Sequence, residues 1–360
     1  MPDSLAVPTS CLAPLLEQGD CLELLRRLPA GCVHLIIIDP PYFKVKNEPW
    51  DRQWAKPAAF LAWLGTVLDE LRRVLAPNGS LYMFASPQMS ARVECLTADR
   101  FAVLSSIVWV KQAGWHKKAE QAALRCYFPQ TERIIFAEQQ GSGATGPDAT
   151  GYEARCEQLR GELFEPLRAY IAGEFERAGM LTAAGKIAAN VACGFAPSPG
   201  GMAARHYFSK SQWWLPTALH YHALRDLLNQ QPGDYLRREY EELRCEYEDL
   251  RVSFVAQCRE YEHLRRPFSV TADVPYTDVW TYPTVNRYPG KHPCEKPAAM
   301  IDDMIRASSR PGDVVLDCFL GSGVTIERSV ALGRLGIGFE IGEYIHGARK
   351  RIAATAASCA

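Results

Sequence analysis

An α/β fold, with a doubly wound and mostly parallel sheet carrying a helical inserted domain, is predicted by three observations. Val33–Ile38 (VHLIII) is an uninterrupted run of β-branched and leucine residues closed by Asp39-Pro40-Pro41, the pattern of a strand buried on both faces. Near the other end, Val314–Asp317 runs into a glycine loop and then a helix, a second strand–loop–helix unit of the same kind. Between them, from Gln139 to about Arg266, the texture changes to charged sequence with helical periodicity.

Along the first part of the chain, Leu61–Leu75 has helical spacing and is expected to stop at a turn, Pro77-Asn78-Gly79, after which Ser80–Ala85 (SLYMFA) reads as a strand. Phe101–Val110 and Arg133–Ala137 are two further strands. A Gly/Ser/Ala/Pro stretch at 140–150 opens the insert, and inside it a seven-residue repeat recurs: Arg238–Arg244 (REYEELR), Cys245–Arg251 (CEYEDLR), a degenerate unit, and Arg259–Arg265 (REYEHLR). Tyr240, Tyr247, Phe254 and Tyr261 share one heptad position, and Leu243, Leu250, Gln257 and Leu264 the position three later, which makes one apolar seam. As a single helix over about 234–265 it would be on the order of 45 Å long. Two readings of the seam stay open, an intramolecular amphipathic helix and a dimer or DNA-supporting arm. Beyond Pro275 the α/β texture returns with helix Lys296–Ser308, a turn at Arg310–Asp313, strand Val314–Asp317, the glycine loop, helix Thr325–Leu332, strand Leu335–Glu340 and a last helix. The sheet domain is thus split into 11–138 and 271–355 around an insert at 139–270.

Composition bounds the class. A chain of 360 residues with 48% hydrophobic and 22% charged residues is neither disordered nor a small disulfide scaffold. It has no apolar run long enough to cross a bilayer, and residues 1–18 lack the basic start and long apolar stretch of a signal peptide. The 12 cysteines are scattered, with no Cys-x-x-Cys pair and no zinc-like Cys/His spacing. Reduced thiols in a cytoplasmic protein, with no metal and no membrane partner, are expected. A net charge of −1 excludes a histone-like basic binder but leaves room for a local basic groove.

Asp39-Pro40-Pro41-Tyr42 comes directly after the buried strand, where ligands of open α/β sheets bind. Two consecutive prolines fix the backbone and leave carbonyls without competing N–H donors. The Asp39 carboxylate and the Pro40 carbonyl can then point as two acceptors at one exocyclic amine, while the Tyr42 ring offers a stacking face for a planar base. An aryl amine is a poor nucleophile because its lone pair is delocalised. Accepting both of its hydrogens favours a pyramidal nitrogen, which is stabilisation by preorganised acceptors.

The second constellation is Val314–Thr325 (VVLDCFLGSGVT), in which Gly321 and Gly323 permit close approach of a ligand to the helix start. Glu340, ending the next strand, has the position of the acidic residue that binds ribose hydroxyls. Ile326 stands where a third glycine would complete the dinucleotide fingerprint, so that fingerprint is not what is written.

With these residues in place the chain resembles the permuted, β-type DNA amino-methyltransferases that use S-adenosylmethionine, and among them the N6-adenine methylases of phages, prophages and orphan bacterial systems. In that order the Asp-Pro-Pro-Tyr segment comes first, the target recognition domain next and the cofactor loop last. Leu16–Asp20 (LEQGD) is similar to the family's opening element, Gln130–Phe136 (QTERIIF) to its strand after the catalytic region, and His292–Pro297 (HPCEKP) to the segment preceding the glycine loop. More loosely, Gly201-Met202, His206–Trp213 (HYFSKSQW) and the Glu-Tyr-Glu repeat resemble its recognition regions. Phe43 departs from the usual Asn after the tyrosine, and Cys318 and Val324 from the commoner Pro and Thr around the loop.

The resemblance implies a sheet of the S-adenosylmethionine methyltransferase type, with 11–138 as catalytic half, 139–270 as target recognition domain and 271–355 as cofactor half. It implies direct methyl transfer to adenine N6 in double-stranded DNA, with the base flipped out of the helix. Asp39, Pro40, Pro41 and Tyr42 would hold the base. Asp20, Asp317, Phe319, Gly321, Ser322, Gly323 and Glu340 would hold the cofactor, with His292 and Lys296 shaping its pocket. Cytosine N4 is the alternative acceptor, and a DNA-binding regulator without turnover is the alternative of another class. A homodimer is expected by resemblance, and an orphan or phage-derived role is as compatible as a restriction-linked one. Lys111, Lys117, Lys118, Arg205 and Lys210 are candidate phosphate contacts. Leu181–Ala192 resembles one half of a helix-turn-helix, although a plain helical bundle fits equally. Trp213-Trp214, Trp50 and Trp54 read as core residues. The geometry has one requirement: the strands bearing Asp39 and Asp317 must lie side by side at the switch point of the sheet.

Overall fold

The computed structural model describes residues 4–45, 47–111, 125, 127, 129–140, 151–210, 212–271, 274–289 and 291–359. The chain forms two compact units, Met1–Ser142 with Arg266–Ala360, and Gly143–Arg265. The first stretch of chain supplies β1 (Leu15–Gln18), α1 (Cys21–Arg26), β2 (Val33–Ile38), α2 (Pro49–Arg52), α3 (Pro57–Val74), β3 (Leu75–Ala85), α4 (Ser90–Ala98), β4 (Phe101–Lys111) and β5 (Thr131–Gln139). The second unit contains α5 (Tyr152–Leu163), α6 (Glu165–Arg177), α7 (Ala183–Ala192), α8 (Ala218–Leu228) and α9 (Tyr240–Glu260). The chain then returns to the sheet with β6 (Val279–Tyr282), α10 (Ala298–Ser308), β7 (Val314–Asp317), α11 (Val324–Ala331), β8 (Leu335–Glu340) and α12 (Tyr344–Cys359).

The described strands form one sheet in the order β1-β8-β7-β2-β3-β5-β4-β6. From β1 to β3 all pairings are parallel, β5 is antiparallel to both β3 and β4, and β6 adds to β4 in parallel. The apolar run of β2 has a direct cause. Ile36 and Ile38 pack with Leu25, Leu64 and Leu68 on one face, whereas Leu35 and Ile37 pack with Met300 and Met304 on the other. Both faces are covered by helices, so no polar alternation survives. Each such side chain contributes about 1.5–3 kcal/mol on burial.

β2 pairs with β3 on one side and with β7 on the other, through Leu35↔Val315 and Ile36↔Leu316. The chain winds outward from β2 through β3 and from β7 through β8, so their carboxyl ends flank the switch-point crevice. The return from the second unit is fastened to the sheet by Arg266. Its Nε lies 2.5 Å from Glu138 Oε2 at the end of β5, and its guanidinium covers the rings of Phe136 and Phe268.

Two expectations change. Pro77-Asn78-Gly79 is no turn between helix and strand but lies within β3, which starts directly after α3. The register against β2 jumps from Val33↔Leu75 to Leu35↔Ser80, so the three residues are an irregularity absorbed inside the strand. Gly79 eases the irregularity, since a Cβ there would crowd Leu75 and come 3.0 Å from Ala76 O. The seven-residue repeat is also shorter as a helix than its sequence. α9 has 21 residues, about 32 Å at the usual rise, and its last unit breaks into a 3₁₀ turn at Glu262–Leu264.

The seam of α9 is used within its own unit. Leu243 is fully buried, and Tyr240, Tyr247, Leu250 and Phe254 pack against a core that includes Phe164, Trp213 and Tyr221. Phe164 lies 5.2 Å from the Tyr247 ring and 5.9 Å from that of Phe254. On the other side, Arg244 pairs with Glu241 and Arg251 with Glu248 at exposed positions. The intramolecular reading of the repeat accounts for the seam, which removes the physical argument from that repeat to a dimer. In the same unit the helix read at Leu181–Ala192 is α7, capped by the Thr182 hydroxyl on Gly185 N. Asn190 ties it to the segment after it, donating to Ser198 O and accepting from Ala203 N. No helix of the described residues is long and apolar enough to cross a membrane.

Leu243→Ala should destabilise the chain by about 2–5 kcal/mol in chemical denaturation, the range for a truncated core leucine. Arg251→Ala on the exposed side should leave the midpoint unchanged, and equal effects would show that the seam is not a core contact.

Candidate active site

Asp39, Pro40, Pro41 and Tyr42 leave the carboxyl end of β2, and Asp317, Phe319, Gly321 and Ser322 leave that of β7 beside it. These residues, with Asp20, His292, Lys296 and Glu340, line one cavity of the first unit. Gly323 lies behind this wall. Its φ of +80° starts α11, and a Cβ there would meet Ala348 Cβ at 2.8 Å, so it shapes the loop against α12. Gly321, at φ +49°, would carry its Cβ 3.1 Å from the His292 ring. His292 is itself packed edge-on to Tyr344 at 4.5 Å and stacked with Trp50 at 6.5 Å.

The glycine loop is held by Glu340. Its Oε2 accepts from Gly321 N at 2.8 Å and its Oε1 from Gly342 N at 2.8 Å. Each oxygen keeps a further lone pair, so the carboxylate can still accept from hydroxyl groups in the cavity. Asp20 caps α1 through Leu22 N and Glu23 N. Burial pushes the Asp317 carboxyl up to about 7, against the opposing effect of hydrogen bonds from Thr325 and Phe319 N.

The Asp39 side chain is asymmetric. Oδ2 is paired with the ammonium of Lys296, while Oδ1 is buried with no hydrogen-bond partner among the described residues. Burial raises the carboxyl above its ordinary range, Lys296 pulls it down, and Glu132 pushes it up again. Lys296 belongs to a segment expected to shape the cofactor pocket, yet its ammonium sits on the Asp39 carboxylate. It is held there by Cys294 O at 3.3 Å and Glu132 Oε2 at 3.8 Å. Burial works to lower the Lys296 ammonium, but Asp39 and Glu132 outweigh it and hold it above its ordinary value.

Glu132, on β5, is not singled out by the sequence. It accepts from the Tyr42 hydroxyl at 3.0 Å and pairs with Lys111 from β4. Burial works to raise it, and Lys296 with Lys111 outweighs that and holds its carboxyl below the usual range. Tyr42 is pushed well above a normal phenol, by burial first and then by Asp39 and Glu132. No sequence signal separates Glu132 from Arg133 and Glu138, the other charged residues of β5.

Asp51 is the other residue that sequence reasoning misses. It is fully buried, and its Oδ1 accepts from Tyr42 N at 2.7 Å while its carbonyl accepts from Lys44 N at 2.8 Å. Between those two anchors Phe43 and Lys44 sit at φ +63° and +62°, a left-handed conformation unfavourable to side chains of their size. Trp54 is a core residue as expected, whereas Trp50 lines the cavity. Trp213 is core, and the exposed Trp214 stacks on His206 at 3.6 Å.

The candidate phosphate contacts separate. Lys111 is engaged by Glu132, which also accepts from Tyr42. Arg205 and Lys210 belong to the second unit and are exposed. Lys117 and Lys118 lie outside the described residues.

A glycine loop on one strand and a buried carboxylate acceptor on its neighbour share a switch-point crevice, the arrangement of an α/β protein that can hold a polar donor. Family comparison makes the class specific. The chain belongs to the N6/N4 DNA methylase family, whose model, described as DNA methylase, matches residues 33–351. It is a DNA methyltransferase of the amino-nitrogen class, acting on N6 of adenine or N4 of cytosine. It is 26% identical over 350 residues, 94% of this chain and 83% of the relative, to the DNA adenine methyltransferase YhdJ of Escherichia coli (strain K12). Over 81 residues, 21% of this chain and 30% of the relative, it is 43% identical to the type II methyltransferase M2.DpnII of Streptococcus pneumoniae. Among solved structures it is similar to the PvuII DNA methyltransferase, described as cytosine-N4-specific, with a TM-score of 0.49, 12% identity and coverage of 98% of this chain and 95% of that one.

Asp51→Ala should lower stability by about 1–3 kcal/mol, because the Tyr42 N–H loses its buried acceptor. Asp69→Ala, which removes an exposed partner of Arg100, should cost clearly less, and equal thermal shifts would count against the anchoring role.

Proposed function

We propose that this chain methylates adenine N6 at specific sites in double-stranded DNA, with S-adenosylmethionine as methyl donor. Asp39 Oδ1 carries the reading: a carboxylate oxygen buried in the switch-point cavity without a hydrogen-bond partner among the described residues. An unsatisfied buried acceptor costs about 1–3 kcal/mol. It is retained where a ligand brings the donor, and an exocyclic amine is such a donor. With Pro40 O as second acceptor, both amine hydrogens are held and the nitrogen lone pair is localised for attack.

The residues around the cavity fit the donor. The left-handed Gly321 lets backbone approach a ligand closely, Glu340 offers lone pairs to ribose hydroxyls, and Asp20, Phe319, Ser322 and His292 complete the walls. When bound, S-adenosylmethionine supplies an electrophilic methyl carbon. A paired base cannot enter such a cavity, so the target must leave the stack, with Tyr42 as its stacking platform. The second unit would select the site, with Arg205 and Lys210 touching phosphates.

Adenine is favoured over cytosine by the acid at the first position of Asp39-Pro40-Pro41-Tyr42, where N4-cytosine enzymes more often carry serine. The Escherichia coli relative, named an adenine methyltransferase, matches most of both chains and supports the same choice.

DNA from a host expressing the wild type should contain N6-methyladenine by nucleoside mass spectrometry, and DNA from a host expressing Asp39→Ala should not. N4-methylcytosine in its place would refute adenine, and tight DNA binding without any methyl transfer would refute catalysis. In calorimetry, Asp39→Ala should keep its affinity for S-adenosylmethionine. Glu340→Ala should lose about tenfold or more, since one carboxylate supports both loop and ligand.

A further inference from the structure

We propose that Lys296 is a positioning residue for methyl transfer: its ammonium occupies Asp39 Oδ2, so that the carboxylate presents only Oδ1 to the substrate amine, and it covers one face of Tyr42, leaving the other for the base. This inference rests on the function proposed above and goes beyond it, because the segment carrying Lys296 is expected from sequence to serve the cofactor.

The geometry is specific. Lys296 is buried, with 7% of its side chain exposed, and sits immediately before Pro297, the cap of α10. Its ammonium lies between Asp39 and Glu132, donates to Cys294 O, and stands 4.6 Å from the Phe84 ring centre and 5.6 Å from that of Tyr42. A free carboxylate would turn about its last torsion and offer either oxygen. Pinning Oδ2 removes that freedom, which is how preorganised acceptors gain their effect. The same cation over the Tyr42 ring restricts stacking to the opposite face.

Charge gives the proposal a separate readout. The groups facing Asp39 are Lys296 before α10, Glu132 on β5 with Lys111 of β4 behind it, Tyr42 on its own loop, and Asp317 at the end of β7. Lys296 favours the ionised carboxylate, whereas burial and Glu132 disfavour it. Removing the ammonium therefore leaves Asp39 protonated to a higher pH, and removing the Glu132 charge does the reverse.

The test is a pH profile of single-turnover methyl transfer to DNA at saturating S-adenosylmethionine, with cofactor affinity measured separately. Lys296→Met should shift the acid limb upward by about one pH unit or more and slow transfer about tenfold at neutral pH, with cofactor affinity within about twofold. Lys296→Arg should restore the limb, and Glu132→Gln should move it downward. An unmoved limb in Lys296→Met, or lost cofactor affinity with normal transfer at saturation, would overturn the proposal. If Lys296→Met does not fold, a Glu132→Gln limb that fails to move downward, or a Lys296→Arg limb displaced from wild type, overturns it instead. A wild type that transfers no methyl group at any pH would defeat the function reading, and this inference with it. An active wild type with an unshifted variant defeats the inference alone.

Discussion

The site depends on the pairing of β2 with β7, strands separated by most of the chain. Their parallel register, Leu35 against Val315 and Ile36 against Leu316, sends Asp39 and Asp317 out of the sheet at the same edge. Any connectivity that preserves this pairing preserves the crevice, so the order of the two loops along the chain is free while their adjacency is not. The second unit is inserted elsewhere in the chain. It leaves after β5 and returns before β6, strands on the antiparallel side of the sheet, and Arg266 fastens the return to Glu138. So non-local a pairing also makes closure of the sheet an entropically costly step of folding.

Adjacency concentrates charge. Asp39, Asp317, Glu132 and Glu340 gather around one cavity and its wall, against Lys296 and Lys111. Burial alone would neutralise such carboxylates, and Asp317, pushed up to about 7, goes some way in that direction. Asp39 is likewise raised by burial and by Glu132, with Lys296 pulling against them, whereas Glu132 is held below the usual range by Lys296 and Lys111. The surplus of acids suits a cationic sulfonium donor, since a positive ligand relieves their mutual repulsion. Under the proposed function, electrostatics and hydrogen bonding favour the same pair of ligands, a cation on the β7 side and an amine on the β2 side.

Residues whose chemistry comes from local pattern were legible in the sequence. Asp39–Tyr42, the glycine loop and the strands Val314–Asp317 and Leu335–Glu340 fall where periodicity and turn chemistry put them. What escaped was set by tertiary context. Pro77-Asn78-Gly79 has the composition of a turn, but β2 needs a partner on both sides of it and the strand absorbs the irregularity. The seven-residue repeat reported that one face of α9 is buried without saying against what, and Phe164, Trp213 and Tyr221 of the same unit are the answer. Glu132 and Lys296 meet Asp39 only because β5 and the segment before α10 converge on β2, which no spacing along the chain announces.

Phe43 shows how a departure from family pattern is absorbed. The position after Tyr42 is left-handed, a conformation that Asn tolerates better than a large aromatic residue. Phe43 accepts it because its ring packs against Phe60 at 5.8 Å and joins the edge of the main core, a contact Asn could not make. Asp51 supplies the rest, gripping the Tyr42 N–H on one side and the Lys44 N–H on the other, so that two successive left-handed residues are bracketed by hydrogen bonds to one buried residue. Their cost is of order 1–3 kcal/mol each, comparable to the anchors that hold them. The turn therefore keeps Tyr42 in place only as long as Asp51 remains buried, and the Asp39–Tyr42 tetrapeptide depends for its shape on an acid nine residues away that belongs to no motif.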